Sequence, residues 1–177
     1  AWYCHHSYVE KYLSKEVRCL FVGMNPGPFG MAQTGVPFGD VELVRNWLKI
    51  SCRVQLPPIV HPKRPITGFG CNRREISGSR LWGLFQNYFE DPEKFFRNHF
   101  VINYCPLMFL EETGRNRTPD KLPSEKRTLL FRHCDDYLKS MIRIVNPTWL
   151  VGIGVFATKA IRRVSSDISP VNRPCCI

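Results

Sequence analysis

The sequence predicts an α/β fold with a central, mostly parallel sheet. Three short apolar runs, at 17–23, 100–107 and 148–154, do not alternate strictly between apolar and polar residues. Continuous apolar runs are typical of strands covered on both faces, as in parallel sheets. Segments with helical spacing of apolar residues lie between the runs, and this alternation of strand and helix favours the α/β class.

The predicted elements follow one another in a regular order. The first strand is followed by a helix at 41–50, in which Val41, Val44 and Leu48 share one face. The segment 51–78 is basic and rich in proline, which predicts a long loop. The remaining elements are a helix at 79–91, the second strand, a helix at 124–145 with Ser124 as its N-cap, the third strand and a helix at 155–164.

Bulk composition excludes several classes of protein. The 177 residues include 44% hydrophobic and 23% charged residues, and no apolar run reaches the length of a membrane span. The eight cysteines include no CxxC pair, so we expect no metal site. Cys19, Cys105 and Cys134 lie in apolar segments, where buried thiols favour a reducing compartment.

Positive charge is concentrated in one part of the chain. The net charge is +10, and residues 45–80 contain eight basic residues and one acid, Glu75. A local excess of this kind suits a polyanion such as nucleic acid, although a basic surface can also serve solubility alone. The candidate DNA-binding residues are Lys63, Arg64, Arg73, Arg74 and Arg80.

A long glycine-rich segment, GMNPGPFGMAQTGVPFGD at 23–40, follows the first strand. Strand-to-helix connections usually need only two to six residues, so this length indicates a site. Open α/β sheets bind ligands beyond the carboxyl ends of their strands, where Asn25 and Asn103 are expected. Phe38 could stack on a flat ring, or it could close the core. Asn103 could pair with a base edge and Asn25 could hold a water molecule, or each amide could satisfy local backbone groups.

A second glycine motif, GIGVFA at 152–157, follows the third strand and resembles a dinucleotide fingerprint. No second βαβ half and no acidic residue at a later strand end accompany it. A nucleotide-cofactor oxidoreductase is therefore the weakest of the interpretations considered for this chain.

The glycine-rich segment closely resembles the first active-site motif of the single-strand-selective monofunctional uracil-DNA glycosylases. The resemblance continues through HPKRP, SGSRLWGLF, NYCPLMFL, TGRNRTP and LVGIG and covers almost all of residues 1–163. It implies a three-layer α/β/α fold and hydrolysis of the N-glycosidic bond of uracil and oxidised 5-substituted uracils in single- and double-stranded DNA. It also implies no cofactor, a base-excision-repair role, a nuclear location and a monomer.

The resemblance assigns roles to individual residues of the glycine-rich segment and the second strand. Asn25 would position the attacking water, Phe38 would stack on the flipped base, and Asn103 would bind its pyrimidine edge. The residues lining the pocket near the 5-position and the base would be Met24, Gly27 and Met31.

The C-terminal sequence departs from the family pattern. The family carries a histidine in an HPSPRNP-like loop, whereas this chain ends SSDISPVNRPCCI. We therefore expect a single domain over 1–177 that is truncated at both ends and lacks the C-terminal strand and helix. We also expect impaired catalysis, because losing one anion-stabilising donor costs about 10²–10³ in rate. A non-catalytic module that binds DNA lesions is the alternative.

Overall fold

The structure is a computed structural model that describes residues 1–166 and 175–176. Its contacts divide the chain into two compact units. The sheet unit comprises Ser14–Asn25, Phe96–Leu107 and Thr118–Ile177. The loop unit comprises Ala1–Leu13, Pro26–Phe95 and Met108–Arg117.

The structure contains both α-helices and short β-strands. The helices are α1 Trp2–Tyr12, α2 Met31–Thr34, α3 Val41–Asn46, α4 Ile76–Phe89, α5 Pro92–Phe96, α6 Ser124–Val145 and α7 Val155–Ser166. The strands are β1 Cys19–Gly23, β2 His99–Asn103, β3 Phe109–Leu110, β4 Asn116–Arg117, β5 Trp149–Gly152 and β6 Cys175–Cys176. Within the described residues, no helix combines the length and the apolar character that crossing a membrane requires.

The sheet unit contains a parallel sheet in the order β2-β1-β5-β6. The central strand β1 buries Leu20 and Val22, and its neighbours bury Ile102 and Leu150. Helix α7 packs on β1 and β5 and buries Ile161 in this core. The predicted α/β class with a mostly parallel sheet is confirmed, as are its three predicted strands.

Several elements differ from the sequence-based prediction. The second strand ends at Asn103 rather than 107, close to Pro106, which has no N–H to donate. Ser124 is the first residue of α6, and the N-cap position is taken by Pro123, whose backbone is extended. The strand β6 lies where no strand was expected, because two cysteines carry no periodic pattern. The SPVNRP segment lies outside the described residues.

The loop unit is held together by aromatic side chains. Trp82 is fully buried, its ring meets Phe95 edge-on at 5.9 Å, and Phe95 stacks on Phe85 at 4.3 Å. Helix α1, which the sequence did not predict, joins this unit through the Tyr12 hydroxyl, which donates to the Leu48 carbonyl at 2.6 Å. The segment 51–75 lacks regular elements apart from a 3₁₀ turn at Gly68–Gly70, so the predicted loop at 51–78 ends three residues early, where α4 begins at Ile76.

Disulfide chemistry was not predicted for this chain, yet Cys4 of α1 is bonded to Cys52. The three cysteines from which a reducing compartment was inferred, Cys19, Cys105 and Cys134, are free thiols. Cys105 and Cys134 are buried, as their apolar neighbourhoods indicated.

Candidate functional site

Three of the predicted site residues lie at the carboxyl edge of the sheet. Strands β1 and β2 pair in register, so that Gly23 lies opposite Asn103. Beyond the strands, the Tyr104 amide donates to the Gly23 carbonyl at 2.8 Å, and the Cys105 amide donates to the Met24 carbonyl at 2.9 Å. These bonds extend the pairing of the two chain segments beyond the last residues of β1 and β2. They place Met24 and Asn25 on the same edge of the sheet unit as Asn103.

The two amides differ in their environment. Asn103 is only 6% exposed, whereas Asn25 is partly exposed. A buried amide is suited to recognising a fixed pattern of donors and acceptors, because an unmatched ligand would leave it unpaired. A partly exposed amide can hold a water molecule, which is the role that the resemblance implies for Asn25.

The residue after Asn103 anchors the end of β2. The fully buried Tyr104 donates its hydroxyl proton to Asp135 at 2.9 Å or to the Phe131 carbonyl at 3.2 Å. Arg163 of α7 bonds Asp135 of α6 at 2.7 Å and 3.0 Å and donates to the Tyr104 oxygen at 3.1 Å. Burial, and then the bond to Asp135, raise the pKa of Tyr104, so its hydroxyl stays protonated.

The sequence analysis missed this network. Its three side chains come from the residue after β2, from α6 and from α7, and their spacing along the chain gives no sign of their contact. Because the network fixes the residue that follows Asn103, it restricts the direction of the Asn103 amide.

The remaining base-binding candidates, Gly27, Met31 and Phe38, belong to the loop unit. After a turn in which the Gly30 amide donates to the Gly27 carbonyl at 3.3 Å, Met31 begins the short helix α2. This helix ends at Gly35, whose φ of +73° is accessible to glycine at little cost. Phe38 also has a positive φ, +55°, which is rare for an aromatic residue.

A buried amide that the sequence did not single out stabilises the glycine-rich segment. The Gln33 side chain donates to the carbonyls of Pro28 and Pro65 at 2.8 Å and 3.0 Å. Its oxygen accepts from the amides of Thr67 and Gly68 at 2.9 Å and 3.0 Å. Gln33 thereby connects the glycine-rich segment to the basic loop with all its hydrogen-bonding groups used.

The end of the glycine-rich segment is fixed by a buried carboxylate. Asp40 is fully buried and accepts hydrogen bonds from Arg74 Nε at 2.7 Å, the Glu75 amide at 3.2 Å and the Leu43 amide at 3.4 Å. Arg74 also bonds Glu42 at 2.8 Å. Two acids therefore partly offset the charge of Arg74.

The other predicted DNA-binding residues have different surroundings. Arg64 and Arg73 lie over the ring of Phe29, with their guanidinium carbons 5.4 Å and 4.3 Å from its centroid. Lys63, Arg73 and Arg80 are exposed. The Arg64 guanidinium is more enclosed, and its Nε has no hydrogen-bond partner among the described residues.

An open cavity of about 630 Å³ lies within the loop unit. Its wall brings together Gly27, Arg64 and Arg74 of the predicted residues, and it also includes Glu75. Burial raises the pKa of the Glu75 carboxyl, which lies so close to Gly27 that a Cβ there would be 2.5 Å from its Oε2. The cavity wall therefore carries both signs of charge.

The GIGVFA motif has a structural explanation in the sheet unit. A Cβ on Gly152 would lie 2.4 Å from the Thr158 hydroxyl oxygen and 2.6 Å from Thr158 backbone atoms. Gly154 has a φ of +91° at the turn into α7. The two glycines allow α7 to pack closely against β5, which accounts for them without a nucleotide.

Comparison with known proteins identifies related families and folds. The family model of the uracil DNA glycosylase superfamily matches residues 10–173. The chain is 47% identical over 170 residues to a single-strand selective monofunctional uracil DNA glycosylase of Bos taurus, a match that covers 96% of this chain and 62% of the relative. The Mus musculus protein of the same name is 46% identical over 170 residues, with 96% and 61% covered.

A solved structure resembles the whole fold. The crystal structure of SMUG2 from Pedobacter heparinus matches with a TM-score of 0.69 and 18% identity, covering 99% of this chain and 70% of that chain. The chain spans about three fifths of the length of the curated relatives that it matches, 62% and 61% in the two examples above.

Proposed function

The chain belongs to the uracil DNA glycosylase superfamily, and from this membership we propose that it is a base-excision-repair enzyme. Its substrate is uracil in DNA, and its reaction is hydrolysis of the N-glycosidic bond. The observation that carries the proposal is the register of β1 and β2, which holds Asn25 and Asn103 at one edge of the sheet. Oxidised 5-substituted uracils, single- and double-stranded DNA, a nuclear location and a monomeric state belong to the same proposal.

The proposed reaction begins with extrusion of the nucleotide from the base stack. Extrusion costs a few kcal/mol and costs least in single strands, because no base pair is broken. Phe38 then stacks on the base, and the Asn103 amide pairs with the donor and acceptor groups of the uracil edge.

Bond cleavage then requires water at the sugar carbon. The Asn25 side-chain oxygen accepts a hydrogen bond from that water and directs its oxygen to C1′. An amide is a weak base, so its contribution is orientation, while the C1′–N1 bond breaks and the base departs with the bonding electrons. The sugar becomes cationic in the transition state. As the water oxygen bonds to C1′ its proton passes to solvent, and the uracil anion takes up a proton from solvent, so the products are free uracil and an abasic site.

The test measures formation of abasic sites in a single-stranded oligonucleotide that contains one uracil. We expect Asn25→Ala to reduce the single-turnover rate by about 10²-fold, the order of loss when a reacting group is misplaced. The matched control is Asn98→Ala, at the opposite end of β2. Asn98 accepts bonds from Arg18 and Cys19 through its backbone carbonyl, which alanine retains.

The outcomes separate the proposed function from its alternative. Cleavage that is lost in Asn25→Ala and kept in Asn98→Ala supports a glycosylase. A wild-type chain that binds uracil DNA more tightly than thymine DNA without cleaving it is a lesion-binding module. A chain that does neither overturns the proposal.

A further inference from the structure

The backbone of Phe38 rests directly on helix α4. A Cβ added to Gly78, the third residue of α4, would lie 1.8 Å from the Phe38 carbonyl oxygen and 2.8 Å from its carbonyl carbon. The Asp40 amide nitrogen would be 3.1 Å away. Such separations are too short for non-bonded atoms, so only glycine at position 78 allows Phe38 its present place.

Two hydrogen bonds attach the residues on either side of Phe38 to the same region of α4. The indole nitrogen of the fully buried Trp82 donates to the Pro37 carbonyl at 3.0 Å. The amide of Glu75, which precedes α4, donates to the Asp40 carboxylate at 3.2 Å. Because positions 78 and 82 are four apart, they lie on one face of the helix.

Hydrogen bonds within the glycine-rich segment also stabilise its backbone. The Thr34 hydroxyl lies 3.2 Å from the Gly39 carbonyl and 3.3 Å from the Gly30 carbonyl and the Val36 amide. The Gly39 amide donates to the Val36 carbonyl at 2.9 Å. These bonds fix the backbone around Phe38, whose side chain is partly exposed.

The positive φ of Phe38 makes this support necessary. A non-glycine residue in the left-handed region carries a cost of order 1–3 kcal/mol and persists only when its surroundings impose it. The backbone sets the direction of the Cα–Cβ bond of Phe38, so the contact with α4 restricts where the ring can point.

We propose that Gly78 is a positioning residue that acts through Phe38: its missing side chain lets α4 hold the Phe38 ring in the orientation that stacks on the substrate base. Trp82 completes the same support through Pro37. This inference rests on the proposed function, since it assumes that Phe38 contacts a base.

The experiment compares binding to two single-stranded oligonucleotides that differ at one position. One contains a 2′-fluoroarabino uridine, which resists cleavage, and the other a tetrahydrofuran abasic analogue, which offers no base. We expect Gly78→Ala to weaken binding of the uridine oligonucleotide by roughly 5- to 150-fold, the range for losing one base–aromatic stack. Its affinity for the abasic oligonucleotide should be unchanged.

The matched control is Gly83→Ala, on the same helix. A Cβ at Gly83 would meet no atom within 4 Å, so both affinities should stay at wild-type values. Thermal unfolding followed by circular dichroism identifies variants that do not fold. Should Gly78→Ala fail to fold, Trp82→Phe, which removes the donor to Pro37, is expected to give the same selective loss.

A double-mutant cycle separates positioning from a general structural role. In a Phe38→Ala background there is no ring to misplace, so adding Gly78→Ala should cause no further loss of uridine binding. An equal loss on both oligonucleotides, a loss that persists without the ring, or no loss at all would overturn the inference. A wild-type chain that forms abasic sites but binds the two oligonucleotides equally would overturn the inference alone, whereas one that neither cleaves nor distinguishes them would overturn the proposed function.

Discussion

The side chain of Gln33 connects two segments of the loop unit that lie more than thirty positions apart. Each of its four hydrogen bonds ends on a backbone group, and the residue is 1% exposed. Buried backbone groups that lose their partners carry a desolvation cost, so this amide stabilises the chain through the groups that it satisfies.

We predict that Gln33→Ala lowers the free energy of unfolding by about 2–5 kcal/mol, because it leaves several buried backbone groups unpaired. Urea unfolding followed by circular dichroism measures the change. Gln55→Ala is the matched control, since Gln55 is exposed in the same unit and its loss should cost less than about 0.5 kcal/mol. Equal costs for both variants would contradict the assigned role of Gln33.

Residue-level prediction from sequence succeeded where a side chain follows a recognisable strand. Asn25 and Asn103 were expected at one sheet edge, and the pairing of Gly23 with Asn103 places both there. Gln33 and Gly78 were not singled out. Their importance comes from contacts with the remote positions 65–68 and 38–40, which local spacing cannot reveal.

Helix α4 contains two glycines with opposite surroundings. Gly78 is pressed against backbone, whereas Gly83 lies mid-helix with open space where a side chain would be. The first glycine is required by packing. The second destabilises the helix, because glycine loses more conformational freedom on folding than alanine does, and no close packing at this position requires a glycine.

We predict that Gly83→Ala raises the free energy of unfolding by about 0.5–1 kcal/mol, the usual difference between glycine and alanine inside a helix. Chemical denaturation gives the value directly. A lower free energy of unfolding for Gly83→Ala would contradict this prediction, because it would mean that the space beside residue 83 is not free for a methyl group.

Elements with a long repeating pattern were the ones that the sequence predicted best. Helix α6 begins and ends at the predicted residues, because its buried positions Cys134, Leu138, Ile142 and Val145 keep helical spacing. Helix α1 was missed, since its buried positions, Cys4, Tyr8 and Tyr12, form a narrow stripe and Ala1 provides no capping side chain. The two-residue strands β3, β4 and β6 are too short to show any period.

The charge of the whole chain bears on the DNA binding that we propose for it. A net charge of +10 favours association with phosphates, and binding should therefore weaken as salt rises. The basic residues are not equivalent, because Arg74 is paired with two acids while Lys63 is exposed on its loop.

We predict that Lys63→Gln reduces the salt dependence of binding to single-stranded DNA by about 0.7 in the slope of log K against log salt, the value for one phosphate contact. Fluorescence anisotropy at several salt concentrations measures the slope. Lys126→Gln removes the same charge from the exposed side of α6 and should leave the slope unchanged. Equal slopes for wild type and Lys63→Gln would remove Lys63 from the DNA-binding set.

The attachment of Phe38 to α4 limits how this chain could be recombined with others. A protein engineer who transplants only the segment 23–40 into another scaffold would move the motif without the glycine and the indole that support it. The ring would then be free to turn away. A transplant must therefore carry residues 75–82 together with 23–40, because the site depends on two segments that are separated along the chain.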